Sequence, residues 1–280
     1  MLDGERLLNC RIRDLALLTL VLAGLCGLTS LRAQTAPTTG DAKGSGIATA
    51  AAPVVHDYWK DHDEQVKNDF GWLAKFREED LTLAAPAQDE NRVVFMGDSI
   101  TAGWHFTGAD GFFTGKPYIN RGISGQTTPQ MLVRFRQDVI ALKPKVVVIL
   151  AGTNDIAGNT GPMSIEQTED NLASMADLAT ANHIHVVMCS VLPAFDYPWK
   201  RGLEPAPKIL AMNAWIKALA AEKHYVYVDY HSAMRDKKDG LPLALSKDGV
   251  HPLPAGYAVM TPLVEAGIEK ALGQAGGVKE

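Results

Sequence analysis

From Arg92 onward the chain alternates between short apolar runs and longer stretches in which apolar residues recur every three or four positions. The short runs fall near 92–96, 118–120, 146–150, 185–189 and 225–228. Runs such as Val146-Val147-Val148-Ile149-Leu150 are β-branched and have no polar position in them. A strand that is apolar on both sides has to be covered on both sides, which is the situation of strands in a parallel sheet. The stretches between carry helical spacing and helix-start signals. Thr128-Pro129 opens one, a cap followed by proline at the first helical position, with Met131, Leu132, Phe135 and Val139 on one face. Ser164 opens a second through Ala181, Pro207 a third through Glu222, and Pro254 a last one ending near Leu272-Gly273. Strands alternating with helices predict an α/β domain with helices on both faces of a parallel sheet.

Upstream the pattern changes character. Asp57–Asp80 mixes Tyr58, Trp59, Val66, Phe70, Trp72, Leu73 and Phe76 with many charges. It predicts one or two helices packed across the domain with the aromatics inside, so that 57–90 is a helical extension of a domain spanning 57–280. Residues 34–56 are rich in Ala, Thr, Gly and Pro and read as a flexible linker. Residues 1–33 read as a secretory signal peptide: Arg6, Arg11 and Arg13 precede the apolar run Leu15–Leu28, and Leu31-Arg32-Ala33 offers a small residue before Gln34. The run is shorter than the roughly 20 residues a transmembrane helix needs. Asp3, Glu5 and Asp14 dilute the basic segment, which leaves an uncleaved N-terminal anchor as the alternative. Cys26 follows Leu25, where lipid attachment needs a small residue, so a lipid anchor is rejected. The expected location is therefore periplasmic or extracellular, with no stable membrane span after leader cleavage.

The 280 residues are 46% hydrophobic and 21% charged, ordinary for a globular domain with one well-filled core. The net charge of −5 and the lack of any basic cluster give no reason to expect nucleic acid. Without the leader, Cys189 is the one cysteine left and cannot form an internal disulfide; at the end of an apolar strand it reads as a small buried hydrophobe. His183 and His185 flank the start of the same strand without ligand partners, and no Cys/His cluster has metal-binding spacing. No metal or cofactor is expected, and the oligomeric state is left open.

The candidate chemistry sits at the ends of the strands. Arg92–Met96 leads into Gly97-Asp98-Ser99-Ile100, which places a serine at the carboxyl edge of the sheet, where open α/β folds keep their sites. The same tripeptide makes an ordinary turn and helix cap. A serine hydroxyl needs a base, and the base needs a third group to orient it. Asp248-Gly249-Val250-His251-Pro252 supplies a carboxylate and an imidazole three residues apart on a loop before the last helix. A tetrahedral intermediate also needs donors for its oxyanion. Two loops offer them: Asn120-Arg121-Gly122-Ile123-Ser124-Gly125, where Gly122 lets a backbone N–H approach closely, and Gly152-Thr153-Asn154-Asp155, where Asn154 carries an amide.

These four blocks, in this order and spanning roughly residues 90 to 272, resemble the SGNH (GDSL-type) hydrolase superfamily, with Ile100 standing where the motif has leucine. The resemblance implies a flavodoxin-like three-layer α/β/α sandwich with a five-stranded parallel sheet in the order 2-1-3-4-5. It implies Ser99 as nucleophile, His251 as general base and acid, Asp248 as orienting carboxylate, and Ser99, Gly122 and Asn154 as the oxyanion hole. The absence of a Gly-x-Ser-x-Gly elbow separates the chain from α/β-hydrolases. Trp104, Ile123, Phe195, Tyr197, Trp199 and Val250 are the candidates for the substrate pocket, with packing the competing role for each aromatic. The expected activity is that of an exported serine esterase acting on a small-molecule or polysaccharide ester, removing a short acyl group such as acetyl from a carbohydrate. A lysophospholipase or thioesterase, an envelope O-acetyltransferase, and a catalytically inactive carbohydrate-binding domain are the alternatives.

Overall fold

The computed structural model describes residues 58–104 and 112–274, so the expected leader and linker lie outside the described residues. Helices α1 (Tyr58–Asn68) and α2 (Arg77–Thr82) come first, followed by β1 (Val93–Gly97) and the single-turn α3 (Ser99–Gly103). Then come β2 (Tyr118–Gly122), α4 (Thr128–Asp138), β3 (Val146–Leu150), α5 (Thr153–Ala157), α6 (Ile165–Ala181) and β4 (His185–Cys189). The chain closes with α7 (Pro205–Glu222), β5 (Val226–Val228), α8 (Tyr230–Met234) and α9 (Pro254–Gln274).

Among the described residues five strands form one all-parallel sheet in the order β2-β1-β3-β4-β5, as the resemblance implied. Alternate residues of each strand face opposite layers. Val94, Met96, Val147, Ile149, Val186 and Met188 pack against Met131 and Phe135 of α4, Leu172 and Met175 of α6, and Ile209, Met212 and Ile216 of α7. Val93, Phe95, Val146, Val148, Val187 and Cys189 meet Tyr257, Met260, Val264 and Ile268 of α9 on the other side. Cys189 is buried as expected, and burial pushes its thiol up to about 12. Among the described residues no helix is long and apolar enough to cross a membrane.

Ser164 caps α6 as expected and closes a reciprocal capping box with Gln167. α4, however, is capped by Thr127 with Gln130, not by Thr128, so Thr128 is its first helical residue and Pro129 its second. α7 begins at Pro205 rather than Pro207, because the first proline already occupies the favoured first helical position.

The N-terminal extension departs from expectation in its packing. Phe70 and Leu73 are 41% and 38% exposed rather than buried. The segment is held by polar tethers instead: Gln126 and Gln130 side chains donate to the Gly71 and Phe70 carbonyls at 2.9 and 2.7 Å. Arg121, fully buried, donates to Glu79 at 2.9 Å and to Asp80 at 3.1 Å, and lies 4.6 Å over the Phe76 ring.

Candidate active site

β1 ends in Gly97 because nothing larger fits: an added Cβ would stand 2.8 Å from the Leu150 carbonyl and 2.0 Å from the Thr101 hydroxyl. The chain turns at once into α3, and Asp98 caps that turn by accepting the Ile100 N–H at 2.9 Å. Burial pushes the Asp98 carboxyl up to about 6 against the pull of the Ile100 N–H. The turn is braced from below by Arg134, whose guanidinium donates to the Gly97 carbonyl at 3.2 Å, to Gln126 at 2.6 Å and to Asp138 at 2.9 Å. Ser99, the first residue of α3, is left half-buried at the sheet edge.

Its hydroxyl lies 2.9 Å from His251 Nε2. The other ring nitrogen, Nδ1, lies 2.6 Å from Asp248 Oδ2. The carboxylate and imidazole share one short loop ahead of α9, and that loop is organised around Asp248. Its Oδ1 accepts from the His251 N–H at 2.8 Å and the Val250 N–H at 3.0 Å, and the Ser246 hydroxyl donates to the His251 carbonyl at 2.7 Å. Burial alone would push the Asp248 carboxyl up; the two N–H donors, with the imidazole, outweigh it and hold it at about 2. Asp248 is therefore ionised at neutral pH.

Asn154 is the second residue of α5, which Gly152 caps after β3 with φ +122 and no room for a side chain against Met212. The Asn154 amide donates to the Gln126 carbonyl at 3.0 Å and points toward Asp98 Oδ2 at 3.4 Å, next to Ser99. Asp155 ties the loop to α4 by accepting the Thr128 N–H at 3.0 Å; burial pushes its carboxyl up to about 6.

Gly122 has a different task from the one expected of it. Its N–H donates to Asn120 Oδ1 at 2.8 Å, and a Cβ there would stand 2.2 Å from the Ala102 nitrogen. It is a close-packing residue between β2 and α3, with its N–H already engaged. Gly125, three residues on, is buried with φ +79, and its N–H bonds to no described residue; the Ser99 N–H likewise has no partner among the described residues. Gly125 is a candidate donor that sequence reasoning missed. The signal was the doubled glycine: the first continues the strand, and only the second has left it.

The six pocket candidates divide. Trp104 is 2% exposed, stacked on Phe112 at 4.8 Å and packed against Phe95 and Tyr257, so it belongs to the core. Ile123 at 1%, Val250 at 2% and Tyr197 at 0% exposure are likewise core residues, the Tyr197 hydroxyl lying 3.0 Å from that of Thr153. The two that remain are Trp199, whose ring centroid lies 5.9 Å from that of His251, and Phe195, which is 63% exposed. Phe195 borders a recess of about 180 Å³ shared with Asp196, Arg201, Asp236 and the triad-loop residues Asp248 and Gly249. Among the described residues no group of three or more His, Cys, Asp or Glu side chains is placed to hold a metal ion.

A serine, an imidazole and an ionised carboxylate in one hydrogen-bonded run form the geometry of acyl transfer. Residues 95–259 match the GDSL-like lipase/acylhydrolase family. The chain belongs to that family. Membership places it among the ester hydrolases. Two solved structures share its fold: one from Bacteroides fragilis described as a candidate acylhydrolase, 47% identical with a TM-score of 0.71, covering 73% of this chain and 99% of that one, and a GDSL-like lipase from Bacteroides thetaiotaomicron, 48% identical with a TM-score of 0.70, covering 72% and 100%. An acetylxylan esterase of Geobacillus stearothermophilus is 30% identical over 150 residues, which are 51% of this chain and 67% of that protein.

Proposed function

We propose that the chain is an exported serine esterase that removes short acyl groups, acetyl first among them, from a carbohydrate. The observation that carries the chemistry is the run Ser99 Oγ, His251 Nε2, His251 Nδ1, Asp248 Oδ2, with spacings of 2.9 and 2.6 Å. Ser99 Oγ attacks the ester carbonyl carbon while its proton passes to His251 Nε2. The negative carbonyl oxygen is met by the Ser99 and Gly125 N–H groups and by the Asn154 amide, which turns to it the hydrogen of its long 3.4 Å contact with Asp98 Oδ2. Collapse breaks the bond to the alcohol oxygen, which takes the proton from Nε2 and leaves. Water then repeats the attack on the acyl-enzyme with His251 again as base, releasing the acid and restoring Ser99. Asp248 stays ionised throughout and holds the Nδ1 proton.

The carbohydrate reading is supported by the acetylxylan esterase relative. Trp199 beside His251 and the Phe195 recess also support it, because they offer aromatic faces with carboxylates and a guanidinium nearby for hydroxyl groups. Export rests on the leader-like first 33 residues.

The test compares acetate release from acetylated xylan with hydrolysis of p-nitrophenyl esters of increasing chain length. The proposal expects acetyl to be the preferred acyl group and the polysaccharide to be deacetylated. Ser99→Ala should abolish both activities and labelling by a fluorophosphonate, with a loss on the order of 10⁶ in kcat. Preference for long acyl chains would replace the proposal with a lysophospholipase or thioesterase; Ser99→Ala activity within tenfold of wild type would end the serine mechanism.

A further inference from the structure

Asn159 follows α5 by two residues, beyond Gly158, which takes φ +67 to turn the chain. Its side chain touches three separate parts of the site. Nδ2 donates to Asn154 Oδ1 at 2.9 Å and to the Gly125 carbonyl at 3.2 Å. Oδ1 accepts from Trp199 Nε1 at 3.1 Å. Its backbone N–H also donates to the Asn154 carbonyl at 3.0 Å.

The sense of this network is set at both ends, by the Trp199 indole at one and by the Gln126 carbonyl at the other. An indole N–H can only donate, so the atom of Asn159 that faces Trp199 has to be the oxygen. The NH₂ of Asn159 then faces Asn154 and has to meet an oxygen there. That leaves the NH₂ of Asn154 on the far side, toward Gln126 and the Asp98–Ser99 turn. A primary amide can otherwise sit either way round with nearly the same shape, and only one way round presents a donor to an oxyanion. We infer that Asn159, keyed by the Trp199 indole, is a positioning residue that selects the donor-forward orientation of the Asn154 amide and pins Gly125 beside it. This inference rests on the reading of Asn154 as an oxyanion donor. It goes beyond that reading by naming what decides the direction of the amide and by giving Trp199 a role in chemistry as well as in lining the site.

Two substitutions of Asn159 separate positioning from mere packing. Asn159→Ala removes the key but leaves Gln126 and Asp98 to favour the correct orientation. Asn159→Asp keeps the acceptor for Trp199 but sets a carboxylate oxygen against Asn154 Oδ1, which drives the amide to turn its oxygen toward the site. The conservative exchange should therefore be the more harmful one. Asn159→Asp should approach the roughly 10²–10³ loss in kcat expected for deleting an oxyanion donor, with Asn159→Ala about tenfold or more milder and KM little changed in either. In an Asn154→Ala background both should cost no more than about twofold further, because the group they orient is gone. Trp199→Phe, which keeps the ring and loses the N–H, should lower kcat by itself and add nothing to Asn159→Ala; it serves as the test if Asn159→Asp fails to fold. The measurements are kcat and KM for p-nitrophenyl acetate across this set, with thermal melting as the check on folding. Equal losses in the two Asn159 variants, losses that appear in KM, or full additivity with Asn154→Ala would overturn the inference while leaving the oxyanion reading in place. An Asn154→Ala protein with wild-type kcat would bring down both.

Discussion

Replacing Asp248 by asparagine changes one oxygen to an NH₂ and, by the geometry of its loop, should reverse the tautomer of His251. Two backbone donors converge on Asp248 Oδ1, the His251 and Val250 N–H groups at 2.8 and 3.0 Å. In Asp248→Asn they hold the remaining oxygen in that place, so the new NH₂ is turned toward His251 Nδ1. Two donors cannot face each other, and Nδ1 has to give up its proton and accept. The proton then resides on Nε2, where it blocks acceptance of the Ser99 proton across the 2.9 Å contact. The wrong tautomer costs on the order of 10⁴ in kcat in serine proteases with this triad, or about 5.4 kcal/mol of barrier at 1.36 kcal/mol per decade. The fold should hardly notice, because the Asp248 and His251 side chains are 33% and 41% exposed and water can satisfy what the loop loses. The assay is kcat for p-nitrophenyl acetate alongside thermal melting. A folded Asp248→Asn protein with activity within tenfold of wild type would refute the tautomer argument and show that another group orients the base.

Other expectations follow from packing and from buried acids. Gly122→Ala should destabilise the domain, since the new methyl would press on the Ala102 nitrogen and the Asp98 carbonyl, neither of which can retreat. Overpacking of this kind costs about 1–3 kcal/mol, read as a fall of roughly 2–12 °C in Tm for a domain of this size; an unchanged Tm would mean that α3 is less constrained than its contacts indicate. Asp155, held at about 6 by burial, binds a proton in the folded chain that the unfolded chain has released above its ordinary value of 3.8. The stability that this proton supplies is present at low pH and is lost as pH rises through about 6. Melting measured from pH 4 to 7 should therefore show a fall that is complete by about pH 6 and that Asp155→Asn makes shallower, and an identical slope in the variant would assign that fall to other groups.

The central strands β1 and β3 were legible because they are buried on both faces, which leaves each as an unbroken apolar word between turn residues, whereas β2 carries Asn120 and Arg121 and shows only Tyr118 and Ile119 as an apolar start. Helix starts signalled by Thr128-Pro129 and Ser164 were equally plain, the first to within one residue. The single-turn helices α3 and α5 were not, because they are too short to show a period and exist through contacts: the Asp98 cap for α3, the Asp155 tether to Thr128 for α5. At the site, the residue types and their order along the chain were readable, while directions were not. Nothing in the letters says that the Trp104 ring turns inward to Phe112 while Trp199 faces His251, or that the Gly122 N–H is engaged and the Gly125 N–H is not. The buried Arg134–Asp138 pair under the Gly97 turn was invisible for the same reason, since at i, i+4 spacing it resembles any surface pair on a helix.

The triad is assembled across very unequal distances along the chain. The acid and the base are three residues apart and are bound by bonds internal to one loop, whereas Ser99 and His251 are separated by 152 residues. The acid–base pair can therefore form as soon as its own loop does. The nucleophile acquires its base only when the first strand of the sheet and the last loop of the domain have come together. Reactivity of Ser99 toward a fluorophosphonate is thus a reporter of complete tertiary closure, and during refolding it should be the last property to return, after the far-ultraviolet signal of the helices has recovered.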